Sequence, residues 1–309
     1  MNRYKYLFTV FTPCYNSSQF IHRVFESLDS QTFRDFEWIV VNDASTDNTA
    51  DLIRNYIKRV SFPVKFFDLP HNQMLAANYN LAFSNAEGEL FVAIGHDDIY
   101  VPEMLELYAQ LYEQYNGPSI GGLVGRCITQ YGKITPKEFI RPIMNYWEYG
   151  VDEKGNYTGE APRVIKTELL AKYMPFHEED KLPPPIEEMM GCDGYSFITT
   201  NHIVRKYFVY ENELSLSSNM SKYPLHSWRR CLLYINKFQY YTKWSFKRKL
   251  LGLSLYAYWS LKAKISFREA MSSLESNKLG VFLLFPVGYI AKFCSEHKFL
   301  HDLLIKKRI

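Results

Sequence analysis

The first 130 residues alternate between two hydrophobic periods, and this alternation constrains the fold more than any other feature. Short apolar runs rich in β-branched and aromatic residues are typical of buried strands, whereas apolar residues spaced three and four apart indicate amphipathic helices. Strands that alternate with helices through short loops predict an α/β fold, a mostly parallel sheet flanked by helices, with right-handed crossovers. The predicted strands are YLFTVFT (6–12), FEWIVVND (36–43), VKFFDL (64–69) and ELFVAIG (89–95), and the predicted helices span 19–31, 44–59, 74–86 and 102–115.

The ends of the first two helices carry polar residues that can act as N-caps, and the chain after residue 120 is less regular. The expected caps are Ser17 or Ser18 for the first helix and Ser45 or Thr46 for the second. IGGLVGRCITQ (120–130) is predicted to be a further strand. The acidic, proline-rich stretch 177–197 is predicted to be a loop that leads into a helix near Gly191, and loops of this length are often functional.

Polar segments follow each of the four predicted strands. In parallel sheets ligands bind at the carboxyl ends of the strands, so these segments are expected to form one binding rim. No G-x-G-x-x-G motif follows the first strand, which disfavours a dinucleotide-binding dehydrogenase. The segments are TPCYN (12–16), NDASTD (42–47), LPHN (69–72) and GHDD (95–98).

The paired acids Asp97 and Asp98 come directly after an apolar run. A carboxylate at a strand end suits Mg²⁺ or Mn²⁺, which bind one or two protein carboxylates and complete their shell with phosphates and water. Two neighbouring side chains of an extended chain point to opposite sides, so we expect Asp97 to face the cleft and Asp98 to support it. His96 is expected to have a structural role. The alternative for the pair is a helix N-cap.

Two further acids allow a chemical and a structural reading. Asp43 ends the second strand, where it can accept an N–H from a base or a ribose hydroxyl, or simply stabilise the turn. Asp193 follows the acidic loop and could be a general base that takes a proton from a hydroxyl nucleophile. Its alternative is a cap or loop acid.

In this order and spacing, the motifs resemble the family-2 glycosyltransferases, which have a GT-A (Rossmann-like) fold. The resemblance covers about residues 5–220. The matching segments are TPCYN (12–16), NDASTDNT (42–49), LPHNQMLAANYNLAFSNAEGE (69–89), GHDDIYVPEML (95–105), GCDGYSF (191–197) and YENELSLSS (210–218).

The resemblance implies a nucleotide-sugar donor, most often a UDP-sugar, and inversion at the anomeric carbon. Asp97 matches the last metal-binding acid of the family and would hold Mn²⁺ or Mg²⁺ against the donor diphosphate. Asp193 matches the catalytic base, which deprotonates a hydroxyl of a glycan or lipid-linked acceptor. The residues that the resemblance assigns to donor binding are Thr12, Pro13, Tyr15, Asn16, Asp43, Asn72 and Asp97.

Three positions depart from the family pattern. Gly95 stands in place of the first acid of the metal motif, Asn42 in place of the first of two acids at the second strand, and Cys192 in place of a Glu before the base. They leave open a non-catalytic sugar-nucleotide-binding protein. A nucleotidyltransferase is the less favoured alternative, because the loop after the first strand lacks Lys and Gly.

Charge divides the chain into two parts. Residues 1–221 carry 19 Lys/Arg and 29 Asp/Glu, whereas residues 222–309 carry 17 and 4, a balance of +13. Interleaved basic and aromatic residues suit an anionic membrane surface. The uncharged run 279–291 has 13 residues, shorter than the roughly 20 that span a bilayer. We therefore expect a catalytic domain (1–221) and a helical, membrane-associating C-terminal region (222–309).

That region allows other readings. Its apolar helix faces could pack on the catalytic domain, or it could make the protein a membrane-anchoring scaffold. Nucleic acid is not an expected partner, because no nucleic-acid-binding motif accompanies the charge.

The cellular location is predicted from cysteine usage and from the N-terminal segment. The five cysteines are far apart and odd in number, which predicts reduced thiols. The first 16 residues lack a signal-peptide pattern. We therefore expect a cytoplasmic protein, peripheral on the inner face of the cell membrane, that acts in surface-polysaccharide assembly.

Overall fold

A computed structural model describes residues 3–153, 155–209, 222–242 and 244–296. They divide into two compact units, one made of residues 3–152 and 156–209, the other of residues 153, 155, 222–242 and 244–296. The strands are β1 (Tyr6–Cys14), β2 (Phe36–Asn42), β3 (Val64–Asp68), β4 (Gly88–Ala93), β5 (Ile99–Tyr100), β6 (Ile120–Thr129), β7 (Ile134–Thr135), β8 (Ile143–Asn145), β9 (Arg163–Lys166) and β10 (Ser196–Tyr207). The helices are α1 (Ile21–Asp29), α2 (Thr49–Ile57), α3 (Met74–Ser84), α4 (Met104–Tyr115), α5 (Tyr146–Tyr149), α6 (Thr167–Leu170), α7 (Ile186–Cys192), α8 (Pro224–Asn236), α9 (Phe246–Lys262), α10 (Phe267–Ser272) and α11 (Lys278–Glu296).

The first unit is built on one sheet with the strand order β3-β2-β1-β4-β9-β6-β10-β5. β3, β2, β1 and β4 are parallel to one another, as the strand–helix alternation predicts. β9 lies antiparallel between β4 and β6, whereas β6 and β10 are again parallel. The α/β prediction is confirmed, as are the strand at 120–129 and the helix that ends beside Gly191.

Both faces of the sheet are buried, which explains why its strands are almost continuously apolar. Successive residues of each central strand point to opposite faces of the sheet and belong to two different hydrophobic clusters. Val10 and Val40 face a core shared with α1, α2 and α4, and Phe11 and Val41 face a core shared with α3, α6 and α7. Helices therefore cover the two sides and leave the strand ends for ligands.

The predicted N-caps of the first two helices are wrong. α1 begins after Phe20 and α2 after Asn48, and neither has a side-chain cap. The hydroxyl of Ser17 accepts the N–H of its neighbour Tyr15 instead, at 3.1 Å. The expected capping residues are used to join the loops at the strand ends, as the site geometry below shows.

The second unit contains a helical core of its own. Side chains from α8, α9, α10 and α11 bury one another rather than remaining on separate faces. Among the described residues, no helix combines the length and hydropathy needed to cross a bilayer. The predicted boundary between residues 221 and 222 stays a prediction, and the motif at 210–218 lies outside the described residues. The buried core side chains are Trp228, Ile235, Tyr256, Ala257, Ala270, Leu274, Val281 and Phe285.

A buried arginine joins three parts of the first unit. Arg205 on β10 is only 6% exposed. Its guanidinium lies 3.5 Å from Asp98, in the turn after β4, and 2.9 Å from Glu160, which precedes β9. A buried charge is stable only when it is well paired, so these contacts hold the turn after β4 and the segment before β9 against Arg205 of β10.

Replacement of Arg205 by methionine should lower the free energy of unfolding by roughly 3–5 kcal/mol, because the buried Asp98 would lose its cation and the partly exposed Glu160 would lose an ion pair. Urea unfolding followed by circular dichroism measures the change. Arg54→Met is the matched control. Its side chain is 49% exposed, and loss of its surface ion pairs should cost less than about 1 kcal/mol. Equal losses in the two variants would contradict the structural role of Arg205.

Candidate functional site

The turn after β1 lies at the carboxyl edge of the parallel strands. Thr12 is fully buried, and its hydroxyl accepts the indole N–H of Trp38 at 3.0 Å, so its side chain lies beneath the rim. Pro13 is partly buried, whereas Tyr15 is 48% exposed. Of these predicted donor-binding residues, Tyr15 thus offers an accessible aromatic ring.

Asn16 joins the first two loops of the rim. It has a left-handed backbone conformation (φ 50°), which Asn adopts more readily than most residues. Its N–H donates to the hydroxyl of Ser45 at 2.9 Å, and its side-chain oxygen accepts the N–H of Thr46 at 2.8 Å. The two residues predicted as helix caps therefore bind Asn16.

Asp47 makes a second link between the same two loops. Its carboxylate accepts the N–H of Ser18 at 3.0 Å and the N–H of Thr49 at 3.1 Å. These hydrogen bonds to the charged form lower the pKa of Asp47 against the opposing effect of partial burial. The rim is thus held by polar contacts between loops that are 29 or more residues apart in sequence.

Asp43 is buried and holds the start of α3. One carboxylate oxygen accepts the N–H of Gln73 at 2.7 Å, and the other accepts the N–H of Met74 at 2.9 Å. A negative charge is favourable at a helix N-terminus. Asn72 is exposed, and its side-chain oxygen also accepts the N–H of Met74, at 3.1 Å. Asp43 therefore positions the loop that carries Asn72.

Asn42, where relatives are expected to have an acid, is paired with an acid. Its side-chain N–H donates to Asp68 Oδ1, at the end of β3, at 2.7 Å, and its oxygen accepts the hydroxyl of Ser45. A carboxylate at position 42 could not donate and would face a like charge. The departure at this position thus matches its surroundings.

The two acids after β4 have different environments. Asp98 is 3% exposed, contacts Arg205 and accepts the N–H of Phe208 at 3.2 Å. Burial raises the pKa of Asp98 to about 7, against the opposing effect of Arg205. Asp97 is partly exposed, and its backbone carbonyl accepts the guanidinium of Arg23 at 3.2 Å. The structure thus gives the two acids different surroundings, with Asp98 engaged inside the protein.

Gly95 closes the turn that carries these acids, since Asp98 N–H donates to Gly95 O at 3.2 Å. A Cβ atom at position 95 would lie 3.0 Å from Asp97 Oδ1 and 3.3 Å from Asp98 Oδ2. A third acid could fit only if both carboxylates moved. Beside the turn, burial lowers the pKa of His96, whose ring lies 6.4 Å from that of Phe20.

Asp193 lies directly after α7 and is exposed. Its Oδ2 accepts the hydroxyl of Tyr173 at 2.6 Å. Burial, and then this hydrogen bond, raise the pKa of Tyr173, so the phenol stays protonated and donates. Tyr173 could not be predicted from the sequence, because no local pattern marks it and the contact spans 20 residues.

Among the residues that the structure describes, no group of three His, Cys, Asp or Glu side chains is arranged to hold a metal ion. The acidic turn offers one accessible carboxylate, that of Asp97. One carboxylate is enough for Mg²⁺ or Mn²⁺ when phosphate oxygens and water supply the other ligands. The donor set therefore fits an ion that binds together with a diphosphate.

The sequence pattern described as "Glycosyl transferase family 2" matches residues 9–171, which is more than half of the chain. The chain belongs to glycosyl transferase family 2. An uncharacterized glycosyltransferase of Rickettsia typhi is 30% identical over 105 residues, which is 34% of this chain. The match spans only 31% of that relative's length.

Solved structures confirm the GT-A fold. Staphylococcus aureus TarS 1–349 in complex with UDP-GlcNAc superimposes with a TM-score of 0.57 at 15% identity, covering 96% of this chain and 91% of that chain. The mannosyltransferase PcManGT of Pyrobaculum calidifontis, in complex with GDP-Man and Mn²⁺, gives a TM-score of 0.53 at 20% identity, covering 99% and 89%. At these identities the likeness establishes the fold of this family-2 chain.

Exchange of Asn42 for aspartate should lower the free energy of unfolding by about 1–3 kcal/mol at pH 7, because the donor to Asp68 is lost and two carboxylates face each other. Their repulsion raises a carboxyl pKa in the folded state, so the loss should shrink as the pH falls through that pKa. Asn42→Asp combined with Asp68→Asn reverses donor and acceptor and should recover most of the stability. No recovery in the double variant, measured by urea unfolding, would show that the pair does not act as described.

Proposed function

We propose that the protein is an inverting glycosyltransferase that moves a sugar, a hexose, from a UDP-sugar to a hydroxyl of a glycan or lipid-linked acceptor. Membership of family 2 and the GT-A fold support this reaction class. The observation that carries the proposal is the contrast at the acidic turn, where Asp98 is engaged by Arg205 while Asp97 remains partly exposed at the carboxyl edge of β4. Ligands bind at this edge in α/β sheets.

The donor site is proposed to lie along the same rim. Tyr15 would stack on the base and Asp97 would face the diphosphate, while Asn16 and Asp43 hold the loops between them. Pro13 and Asn72 would complete the nucleoside pocket, and Thr12 would contribute through its backbone. A UDP donor is favoured because the fold neighbour TarS binds UDP-GlcNAc.

Asp97 is proposed to hold Mg²⁺ or Mn²⁺ together with the donor. When bound, such an ion offsets negative charge on the departing nucleoside diphosphate. The presence of Mn²⁺ in the complex of PcManGT with GDP-Man supports this assignment.

Asp193 is proposed to accept the proton of the acceptor hydroxyl. The hydroxyl oxygen then forms a bond to the anomeric carbon as the bond from that carbon to the UDP oxygen breaks, and UDP leaves with the electron pair. Attack from the side opposite to UDP inverts the configuration. Tyr173 would fix the orientation of Asp193 by donating to Oδ2, which leaves Oδ1 to take the proton.

Asp193→Asn should lower kcat for UDP-sugar turnover by about 10²–10⁴-fold, because an amide cannot accept the proton. Its affinity for UDP should stay unchanged. The measurement is UDP release from a panel of UDP-sugars with Mn²⁺ or Mg²⁺, with water in place of an acceptor. Asp35→Asn, an exposed acid at the opposite end of β2, is the control and should behave as the unmodified protein.

The same assay tests the metal role of Asp97 and, separately, the alternative that the protein binds a sugar nucleotide without catalysis. EDTA and Asp97→Ala should each abolish the metal-dependent part of UDP release. UDP binding without release from any donor, unchanged in Asp193→Asn, would instead identify a sugar-nucleotide-binding protein.

We also propose that the C-terminal region attaches the enzyme to the inner, cytoplasmic face of the cell membrane, where a lipid-linked acceptor for surface polysaccharide would lie. The supporting observation is an apolar face on α11. The opposite side of α11 is buried. There Gly288 lies so close to α9 that a Cβ atom at this position would be 2.9 Å from the Cβ of Ala257. The exposed apolar face consists of Leu279, Phe282, Leu283, Val287, Ile290 and Phe293, which are 44–71% exposed.

This exposed face has helical spacing and lies in a region with a charge of +13. Monomeric soluble proteins rarely expose apolar patches of this kind, and amphipathic basic helices bind anionic bilayers in the plane of the interface. A second copy of the same region would bring like charges together, so an anionic bilayer is the favoured partner.

Phe282→Gln combined with Ile290→Gln should weaken binding to vesicles containing phosphatidylglycerol by about 10–100-fold, because two large apolar side chains no longer enter the interface. Vesicle co-sedimentation measures this. The control is Tyr131→Gln with Ile140→Gln, two equally exposed apolar residues of the first unit. Unchanged binding in the α11 variant, or equal loss in the control, would contradict the proposal.

A further inference from the structure

The C-terminal unit contains a partly open cavity of about 330 Å³. This volume lies within the range of small-molecule sites. The cavity is formed by α8, α9, the turn between them and Asn277, which precedes α11, and is distinct from the exposed face of α11. Its lining includes Arg230, Cys231, Tyr234, Trp244, Lys249 and Gly252.

The walls of the cavity are mainly apolar and aromatic. The rings of Tyr234 and Trp244 are stacked with centroids 4.2 Å apart. Burial raises the pKa of Cys231 to about 12, so its thiol is neutral. Walls of this kind favour a hydrocarbon chain over water.

Two cations, Arg230 and Lys249, complete the lining, and both are exposed to solvent. Among the residues that the structure describes, no carboxylate lines the cavity, and neither cation forms an ion pair. A cavity with apolar walls and two cations at its edge is complementary to a molecule that has an apolar chain and an anionic head.

We propose that this cavity binds an anionic amphiphile, with the chain against the aromatic walls and a phosphate group on Arg230 and Lys249. A free phosphate ion would not use the apolar walls, and a neutral lipid would not use the cations. The site lies within the C-terminal unit and is independent of the proposed transfer reaction, so its test needs neither donor nor turnover.

The test is a titration of the full chain with decyl phosphate, kept below its micelle concentration and followed by isothermal calorimetry. Inorganic phosphate and decyl maltoside are the comparison ligands, one without the chain and one without the charge. One decyl phosphate should bind per chain, at least 10-fold more tightly than either comparison ligand. Equal binding of inorganic phosphate or of decyl maltoside would overturn the proposal, as would the absence of binding.

Arg230→Gln with Lys249→Gln should lower the affinity for decyl phosphate at least 10-fold, and a thermal melt checks that the fold is kept. Lys237→Gln with Lys247→Gln removes two exposed cations outside the lining and should leave the affinity unchanged. Equal effects of the two pairs would show nonspecific charge attraction and refute the site.

A third variant tests where the hydrocarbon chain of decyl phosphate binds. A Cβ atom at Gly252 would lie 3.1 Å from the Trp244 ring, so Gly252→Leu places a larger side chain beside that wall. It should weaken binding of decyl phosphate at least 10-fold without altering binding of the protein to vesicles. Unchanged affinity would show that the chain does not occupy this cavity.

Discussion

The buried ion pairs of Arg205 determine the geometry of the candidate active site. One guanidinium on β10 pairs with Asp98 after β4 and with Glu160 before β9, and the buried charges of Arg205 and Asp98 depend on this pairing. Because Asp98 is held inward, the adjacent Asp97 is left partly exposed. The division of roles between two neighbouring acids thus originates on a strand more than 100 residues away in sequence.

The rim of the sheet is held by a second set of long-range contacts. Asn16 binds the loop after β2, Asp43 binds the start of α3, and Asn42 binds Asp68 at the end of β3. Each contact uses a side chain of one loop and a polar group of the next. Loops joined in this way are preorganised, so little conformational freedom would be lost when a ligand binds.

The part of the structure that follows from local periodicity was predictable. The spacing of apolar residues predicted β1 to β4 and the helices that follow them. The position of the rim followed from the rule that parallel strands place their carboxyl ends at one edge of the sheet. The helix caps were mispredicted because Ser45, for example, accepts a hydrogen bond from the N–H of Asn16 instead of capping α2. No local sequence pattern encodes this contact. The antiparallel insertion of β9 and the hydrogen bond from Tyr173 to Asp193 were missed for the same reason. Likewise, the C-terminal sequence indicated basic, aromatic helices but did not show that they share a core.

The two missing acids have a common electrostatic consequence. Asn42 and Gly95 leave the rim with fewer carboxylates than the family pattern, while Asp43 and Asp98 are engaged by protein groups. In the proposed function, Asp97 would then be a weak metal ligand by itself, since a divalent ion needs several oxygens. A diphosphate would supply the missing oxygens and most of the negative charge. Under the proposed function the ion and the donor would therefore enter the site together, and the metal affinity would depend on the presence of the donor.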